Sequence, residues 1–303
     1  MPEHQQKILV TGASGHLGRL VVQHLLDGGI RGIVAASRNP ESLAEFTAKG
    51  VEVRQADFDD PAILDLAFAG VDRVLIISAP DTPNDPPRRL RQHLAAVDAA
   101  IKAGVGHIVY TSMLHPEPGS PIAFAHDHYE TEQAIEKSGI AFTILRPCWY
   151  TDSVFMWLPQ VLKSNVWHTA AGDGRTAYVW RDDLARTAAA ALKDTGLESR
   201  RLDVTGPEAL TSSEIAEVVN DVLGSSVELA LLGEAERKKE LEGVGLPPVV
   251  ADLFVSFEIN TRQGRLNVIS DTVGRLTGEP PRSLRQYLSE NRDALVAAAN
   301  QAG

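Results

Sequence analysis

Three glycines near the start of the chain stand three residues apart, at Gly12, Gly15 and Gly18. They follow a short apolar run and precede a leucine and valine pattern that is typical of an amphipathic helix. Strand, glycine turn and helix can bind a dinucleotide pyrophosphate, because the amides at the helix N-terminus point at the phosphates. The spacing departs from GxGxxG, but the flanking elements favour a dinucleotide site over an ordinary glycine turn.

Arg38 follows the second apolar run, in the segment Ser37-Arg38-Asn39-Pro40. A site for NAD usually places an Asp or Glu here, where it accepts a hydrogen bond from the ribose 2′-hydroxyl. No acidic residue stands at positions 33–40, whereas a guanidinium suits a 2′-phosphate. We therefore predict NADP(H) as the cofactor. The alternative is that Arg38 is a solvated surface charge.

Aromatic residues cluster after position 147. Hydride transfer requires the nicotinamide C4 atom and the acceptor to lie roughly 3–3.5 Å apart in a dry pocket. We predict that aromatic side chains form a flat slot at the nicotinamide end. They are Phe124, Trp149, Tyr150 and Phe155, with Trp180 as a further candidate. The alternative is that these side chains pack in the core of a second lobe. For Phe155 and Trp157 we favour that alternative.

Other catalytic patterns are missing from the sequence. No tyrosine stands four residues before a lysine, so the Tyr-Lys pair that donates a proton in many short-chain dehydrogenases is lacking. His126 and His128 stand two residues apart without an evident third ligand, so no metal site is expected. There is no Gly-x-Ser-x-Gly motif to indicate a serine nucleophile.

The pattern of elements predicts an α/β fold. Apolar strands alternate with helices through the first half, which indicates a Rossmann-type doubly wound parallel sheet with helices on both faces. We predict an NADP-binding domain over residues 1–150, with further core elements at about 176–206. A smaller mixed substrate lobe over 151–303 is interleaved with it. Further expected elements are strands at Ala177–Trp180 and Arg201–Thr205, a lid helix over Val249–Ile259 and a terminal helix over Ser283–Ala299.

The composition is that of an ordinary globular enzyme, with 303 residues, 44% apolar and 23% charged. The formal charge of −11 opposes nucleic-acid binding, and no segment approaches the ~20 apolar residues of a membrane helix. The single cysteine, Cys148, excludes an internal disulfide. Residues 1–6 lack the apolar core of a secretion signal. We expect a cytoplasmic monomer or homodimer without nucleic-acid or membrane partners.

Several motifs taken together point to one family. They are Thr11–Gly18, Ser37–Asn39, Ala56–Phe58, Gly139–Pro147, Asp183–Ala185, Leu210–Ala216 and Gly278–Leu284. In this order they resemble the NmrA-like branch of the atypical short-chain dehydrogenase/reductases. Within that branch the chain looks most like the NAD(P)H:quinone oxidoreductases and triphenylmethane dye reductases.

The resemblance implies a position for each part of the cofactor. The pyrophosphate site comprises Thr11, Gly12, Ser14, Gly15, His16, Leu17 and Gly18. Arg38 holds the 2′-phosphate, Asp57 and Phe58 the adenine, Ser78 and Ala79 the adenosine ribose, and Pro147, Trp149 and Tyr150 the nicotinamide end.

The resemblance also bears on catalysis. Several relatives carry a lysine at the start of the helix before the sixth strand, where this chain has His128. We predict His128 and Tyr150 as catalytic residues, and the alternative for His128 is a partly exposed loop histidine.

The predicted function is NADPH-dependent hydride transfer to a quinone or similar planar acceptor. A non-catalytic NADP(H) sensor of NmrA type stays open, as does an enzyme acting on a sugar or other carbonyl substrate, which the missing Tyr-Lys pair disfavours.

Overall fold

The computed structural model describes residues 6–80, 85–196 and 198–301, in which strands and helices alternate. The strands are β1 (Ile8–Val10), β2 (Ile33–Ser37), β3 (Glu52–Gln55), β4 (Arg73–Ile76), β5 (His107–Thr111), β6 (Ala141–Pro147), β7 (Val166–Thr169), β8 (Arg175–Thr176), β9 (Arg200–Val204), β10 (Leu210–Thr211) and β11 (Glu228–Leu231). The helices are α1 (His16–Asp27), α2 (Ala44–Thr47), α3 (Pro61–Phe68), α4 (Pro86–Ala103), α5 (Ala125–Lys137), α6 (Leu158–Ser164), α7 (Arg181–Lys193), α8 (Ser212–Leu223), α9 (Glu234–Gly243), α10 (Pro248–Arg262), α11 (Thr272–Thr277), α12 (Leu284–Glu290) and α13 (Arg292–Gln301). Short 3-10 helices cover Pro40–Leu43 and Thr151–Met156.

The central sheet confirms the predicted fold class. In the part of the chain that the structure describes, seven parallel strands lie in the order β3-β2-β1-β4-β5-β6-β9. The strand order reverses between β1 and β4, which is the point where doubly wound sheets bind ligands beyond the carboxyl ends of their strands. The segments after β1, β2, β4, β5 and β6 therefore meet at one edge.

Both faces of this sheet are buried. Side chains alternate along β1, so Ile8 and Val10 face a core formed with α1 and α7, whereas Leu9 faces the core formed with α3, α4 and α5. Burial on both faces explains the continuous apolar runs in these strands. None of the described helices is both long and apolar enough to cross a membrane.

Two predicted elements differ from the structure. The strand expected over Ala177–Trp180 is wrong, because this segment forms only a single bridge between Tyr150 and Val179. The predicted terminal helix is divided at Asn291 into α12 and α13. Propensity alone cannot locate such a break, because packing of the second lobe decides it.

A second core lies under the C-terminal elements. Leu158 of α6, Ile215 of α8 and Leu288 of α12 are buried in it together. Two small sheets, β7 with β11 and β8 with β10, belong to the same part of the chain. The α10 helix, at the position of the predicted lid helix, packs against α9.

Candidate functional site

The three glycines of the N-terminal turn have different structural roles. Gly12 has a φ of +61°, a left-handed conformation that favours glycine. A Cβ on Gly18 would lie 2.3 Å from the carbonyl oxygen of Gly12, so α1 packs directly on the turn. Gly15 precedes α1 without a side-chain cap, and the first turn of α1 carries no acidic residue. The amides at the start of α1 therefore suit a phosphate.

Gly18→Ala is expected to destabilise the protein by about 1–3 kcal/mol and to weaken binding of the predicted cofactor, because the added methyl overlaps backbone atoms. Thermal unfolding and a cofactor titration measure both effects. The control is Gly243→Ala at the end of α9, where a Cβ would meet nothing within 4 Å. Equal melting temperatures for the two variants would contradict the prediction.

Hydroxyl groups tie the glycine turn to the neighbouring strands. Thr11 Oγ1 donates to the carbonyl of Leu75 (2.9 Å) and accepts from the amide of Ile77 (3.0 Å), which joins β1 to the end of β4. Ser37 Oγ at the end of β2 donates to Ser14 Oγ (2.8 Å). The turn is thereby fixed on both sides.

Arg38 stands at the carboxyl end of β2 with an exposed side chain. It makes no hydrogen bond or ion pair with another described residue. Nearby, Arg88 Nη2 donates to Asp59 Oδ2 (2.6 Å). Arg88 lowers the pKa of Asp59 through this bond, and the charge of Arg38 adds to the effect. Two arginines therefore flank one carboxylate beside the predicted adenine residues Asp57 and Phe58.

The remaining predicted residues at this end differ in exposure. His16 is exposed at the start of α1, whereas Leu17 is buried in the core. Asp57 is half-buried, and its Oδ1 accepts from the amide of Asp59 (3.1 Å). Phe58 packs against the core below α3 and α4. The side chains of His16 and Asp57 are therefore accessible enough to contact a cofactor without rearrangement.

Two buried polar side chains hold the backbone after β4. The amide of Ser78 donates to Thr111 Oγ1 (3.0 Å), and that of Ala79 donates to His93 Nε2 (2.9 Å). Burial lowers the pKa of His93 to about 3, so the ring is neutral at neutral pH. Since Nε2 accepts, the ring proton is on Nδ1, which faces Thr131 Oγ1 at 3.0 Å. The predicted ribose residues therefore lie on a fixed backbone.

The buried His93 leads to a pH prediction. The unfolded chain protonates this ring near pH 6.5, but the folded chain does so only near pH 3. Stability is therefore expected to fall with pH below 6.5, by up to about 1.4 kcal/mol per pH unit for this residue. Urea unfolding at pH 7.5, 6.5 and 5.5 measures the slope. His93→Gln keeps a possible acceptor for Ala79 and should give a shallower slope; parallel slopes would contradict the assignment.

His128 lies in the first turn of α5 and is 3% exposed. Arg89 Nη2 donates to its Nε2 (2.6 Å), so the neutral ring donates from Nδ1 to the hydroxyl of Tyr110 (2.8 Å). Burial and then the charge of Arg89 lower the pKa of His128 well below its usual value. Both ring nitrogens are engaged, so His128 is not the partly exposed loop histidine of the alternative. Its catalytic role stays a prediction.

A buried ion pair anchors the segment that carries the predicted nicotinamide residues. Arg146, one residue before Pro147, donates to both oxygens of Glu132 on α5 (2.9 and 2.5 Å). Ser112 Oγ, just after β5, donates to the same carboxylate (2.5 Å).

Burial raises the pKa of Cys148 to about 12, so its thiol is not a nucleophile at neutral pH.

Aromatic rings from three elements meet beyond this anchor. The ring of Trp149, after β6, lies 5.2 Å from that of Phe257 on α10. Phe257 in turn lies 6.0 Å from Phe124, at the start of α5. We call Phe124, Trp149 and Phe257 the aromatic cluster. The sequence predicted the first two, but not Phe257, since nothing in a helical pattern shows which residue of a lid helix faces a distant strand end.

The structure does not bring Phe155 and Trp180 into this cluster. Phe155 packs on Tyr287, with ring centroids 6.4 Å apart, and Trp180 lies 5.0 Å from the same ring. Both belong to the core of the second lobe. Core packing, the alternative favoured for Phe155, is thus what the structure shows.

Tyr150 lies between the aromatic cluster and the glycine turn. The guanidinium of Arg181 lies 5.3 Å from its ring centroid, and Arg181 Nη1 is 3.5 Å from His16 Nδ1. The nicotinamide and pyrophosphate ends of the predicted cofactor site are therefore neighbours. Burial raises the pKa of Tyr150 to about 12, which keeps the phenol protonated at neutral pH.

The chain is similar to proteins that are already known. Residues 12–195 match the NAD(P)H-binding family. The chain belongs to this family. It is 36% identical to quinone oxidoreductase 2 of Escherichia coli over 93% of this chain and 97% of that protein. Over 95% of this chain and 99% of the relative, it is 36% identical to the (4-alkanoyl-5-oxo-2,5-dihydrofuran-3-yl)methyl phosphate reductase of Streptomyces griseus.

Solved structures agree with the sequence comparisons. The NADPH complex of the E. coli quinone oxidoreductase superposes with a TM-score of 0.87 at 36% identity, covering 93% of this chain and 99% of that one. The NADP(H) complex of Citrobacter sp. triphenylmethane reductase gives 0.84 at 34% identity, covering 94% and 100%. The resemblance predicted from the motifs is thereby confirmed.

Proposed function

We propose that this chain is an NADPH-dependent reductase that transfers a hydride to a quinone or similar planar aromatic acceptor. The observation that carries the proposal is the juxtaposition of the glycine turn, the exposed Arg38 and the aromatic cluster at one edge of the sheet. Support also comes from the relatives, whose names specify quinone oxidoreduction and triphenylmethane reduction together with bound NADPH or NADP(H).

The residues present fit an NADP(H) molecule. The uncapped start of α1, with no acidic side chain in its first turn, suits the pyrophosphate. Arg38 would hold the 2′-phosphate, and Pro147 to Tyr150 would border the ring end. When bound, the cofactor would supply two electrons and one proton as a hydride; a quinone takes up a further proton, whereas a cationic triphenylmethane dye is neutralised by the hydride itself.

The chain's own residues orient the acceptor and exclude water. The rings of the aromatic cluster offer an apolar wall against which a planar molecule can stack. In this proposal Tyr150 is the proton donor, since it directly follows Trp149 at the predicted nicotinamide end. The role predicted for His128 would be exerted through Arg89 and Tyr110, which its two ring nitrogens already bind, so in this proposal it is a positioning residue.

The decisive experiment follows absorbance of the reduced cofactor in the presence of menadione or a triphenylmethane dye. Turnover with NADPH supports the reductase. Tight NADPH binding without consumption on any acceptor would instead indicate a sensor. Absence of heat on titrating NADPH or NADP⁺ in a calorimeter would overturn the proposal altogether.

We also propose a classification, a location, an oligomeric state and a domain division for this chain. These are assignment to the atypical short-chain dehydrogenases, a cytoplasmic location, a monomeric or homodimeric state, and a division near residue 150 between an NADP-binding domain and a substrate lobe. Cell fractionation, size-exclusion chromatography and limited proteolysis test the last three. The charge of −11 further disfavours a nucleic-acid partner.

A further inference from the structure

Asn260, near the end of α10, is a buried polar residue without a partner. Its side chain is 0% exposed. Among the described residues it alone leaves two side-chain polar atoms, Oδ1 and Nδ2, buried without a hydrogen bond. An amide desolvated in this way costs stability, and such groups in folded proteins call for an explanation.

The position of Asn260 on α10 offers an explanation for its unpartnered amide. At 100° per residue, Asn260 lies about 180° around the axis from Ala251 and only about 60° from Phe257. Ala251 and Val255 are buried in a separate core with Leu241. Helix α10 is therefore buried on two sides, and the side that carries Phe257 and Asn260 is the one that meets the aromatic cluster.

Asn260 is also close to the cluster along the helix. Three residues of α-helix separate it from Phe257 by about 4.5 Å of axial rise. The Phe257 ring contacts Trp149 and Phe124, the residues at the proposed acceptor position. Helix geometry thus places the unpartnered amide on the same side of α10 as Phe257, at the apolar wall of the proposed acceptor position.

We propose that Asn260 is an acceptor-binding and specificity-determining residue whose Nδ2 donates a hydrogen bond to a carbonyl oxygen of the acceptor. The inference rests on the proposed reductase function and deepens it. Hydride transfer increases the negative charge on that oxygen, so the bond strengthens as the reaction proceeds. After protonation the product hydroxyl can donate to Oδ1 of the same amide. Acceptors that bear a carbonyl are thereby favoured over acceptors without oxygen.

The test compares two acceptors in wild type and Asn260→Leu, which has a similar volume but no polar atoms. Menadione has carbonyl oxygens, whereas malachite green, a triphenylmethane cation, has no oxygen atom. We expect kcat/KM for menadione to fall about 10- to 100-fold in the variant, while malachite green and the NADPH Kd change less than about 3-fold. The melting temperature should stay equal or rise, since an unsatisfied amide is removed.

Matched variants separate this role from a structural one. Asn267→Leu makes the same chemical change at an exposed position seven residues further on and should leave both acceptors unaffected. If Asn260→Leu fails to fold, Asn260→Ala, which adds no bulk, replaces it. If Asn260→Leu lowers kcat/KM equally for menadione and malachite green, or lowers neither, the inference about Asn260 is overturned but the proposed function is not. A wild type that reduces only the dye would do the same, and one that reduces neither acceptor would refute the proposed function as well.

Discussion

Glu132→Gln is expected to lower the free energy of unfolding by about 3–5 kcal/mol, the largest effect that we anticipate from a single substitution. The Glu132 side chain is 1% exposed and binds the guanidinium of Arg146, which is itself 13% exposed. Arg201 Nε lies 3.2 Å from the same carboxylate. Neutralising Glu132 leaves the mostly buried Arg146 guanidinium to Glu117, 2.7 Å away and 43% exposed. The buried charge then loses its buried partner, which is far costlier than losing a surface pair.

Urea unfolding at pH 7.5 measures this effect, and Glu136→Gln is its control. Glu136 lies one turn further along α5 and pairs with Arg201 at the surface, so its loss should cost no more than about 1 kcal/mol. We also expect Glu132→Gln to reduce turnover of planar acceptors, because Arg146 directly precedes Pro147 to Tyr150. Similar stability losses in the two variants would show that burial of Glu132 does not matter as argued.

Arg38→Ala is expected to weaken NADPH binding about 10- to 100-fold while leaving NADH binding nearly unchanged. A charge-assisted hydrogen bond to the 2′-phosphate is worth about 1.5–3 kcal/mol, and each 1.4 kcal/mol corresponds to a tenfold change in Kd. Arg38 makes no ion pair with another described residue, so it can turn to a phosphate without breaking one. Isothermal titration with both cofactors measures the ratio.

The control for Arg38 is Arg31→Ala, which removes an exposed arginine just before the opposite end of β2. It should alter neither Kd by more than about twofold, since long-range attraction between exposed charges is screened at physiological salt. An equal loss of NADPH and NADH affinity in Arg38→Ala would mean that this side chain contacts no 2′-phosphate. Arg88, held by Asp59, would then be the next candidate.

Local pattern was enough to predict the fold class, and it also carries the prediction for the pyrophosphate end of the site. Gly12, Gly15 and Gly18 act within one turn, and Arg38 follows its strand directly, so their relative positions depend on short stretches of chain. Alternation of strands and helices also constrains topology strongly, because parallel crossovers permit few arrangements. The strand predicted over 177–180 was wrong because one bridge to Tyr150 replaces a ladder there.

The amino-acid sequence by itself thus determined a dinucleotide-binding α/β fold and the carboxyl edge at which we predict the cofactor site. Only the tertiary structure decided what surrounds the proposed acceptor position. It brought Phe257 onto Trp149 across more than one hundred residues of sequence, packed Phe155 on Tyr287 instead, and buried Asn260. The physical reason is that a helix pattern indicates which residues can be buried, whereas the packing of distant elements decides what each buried residue touches.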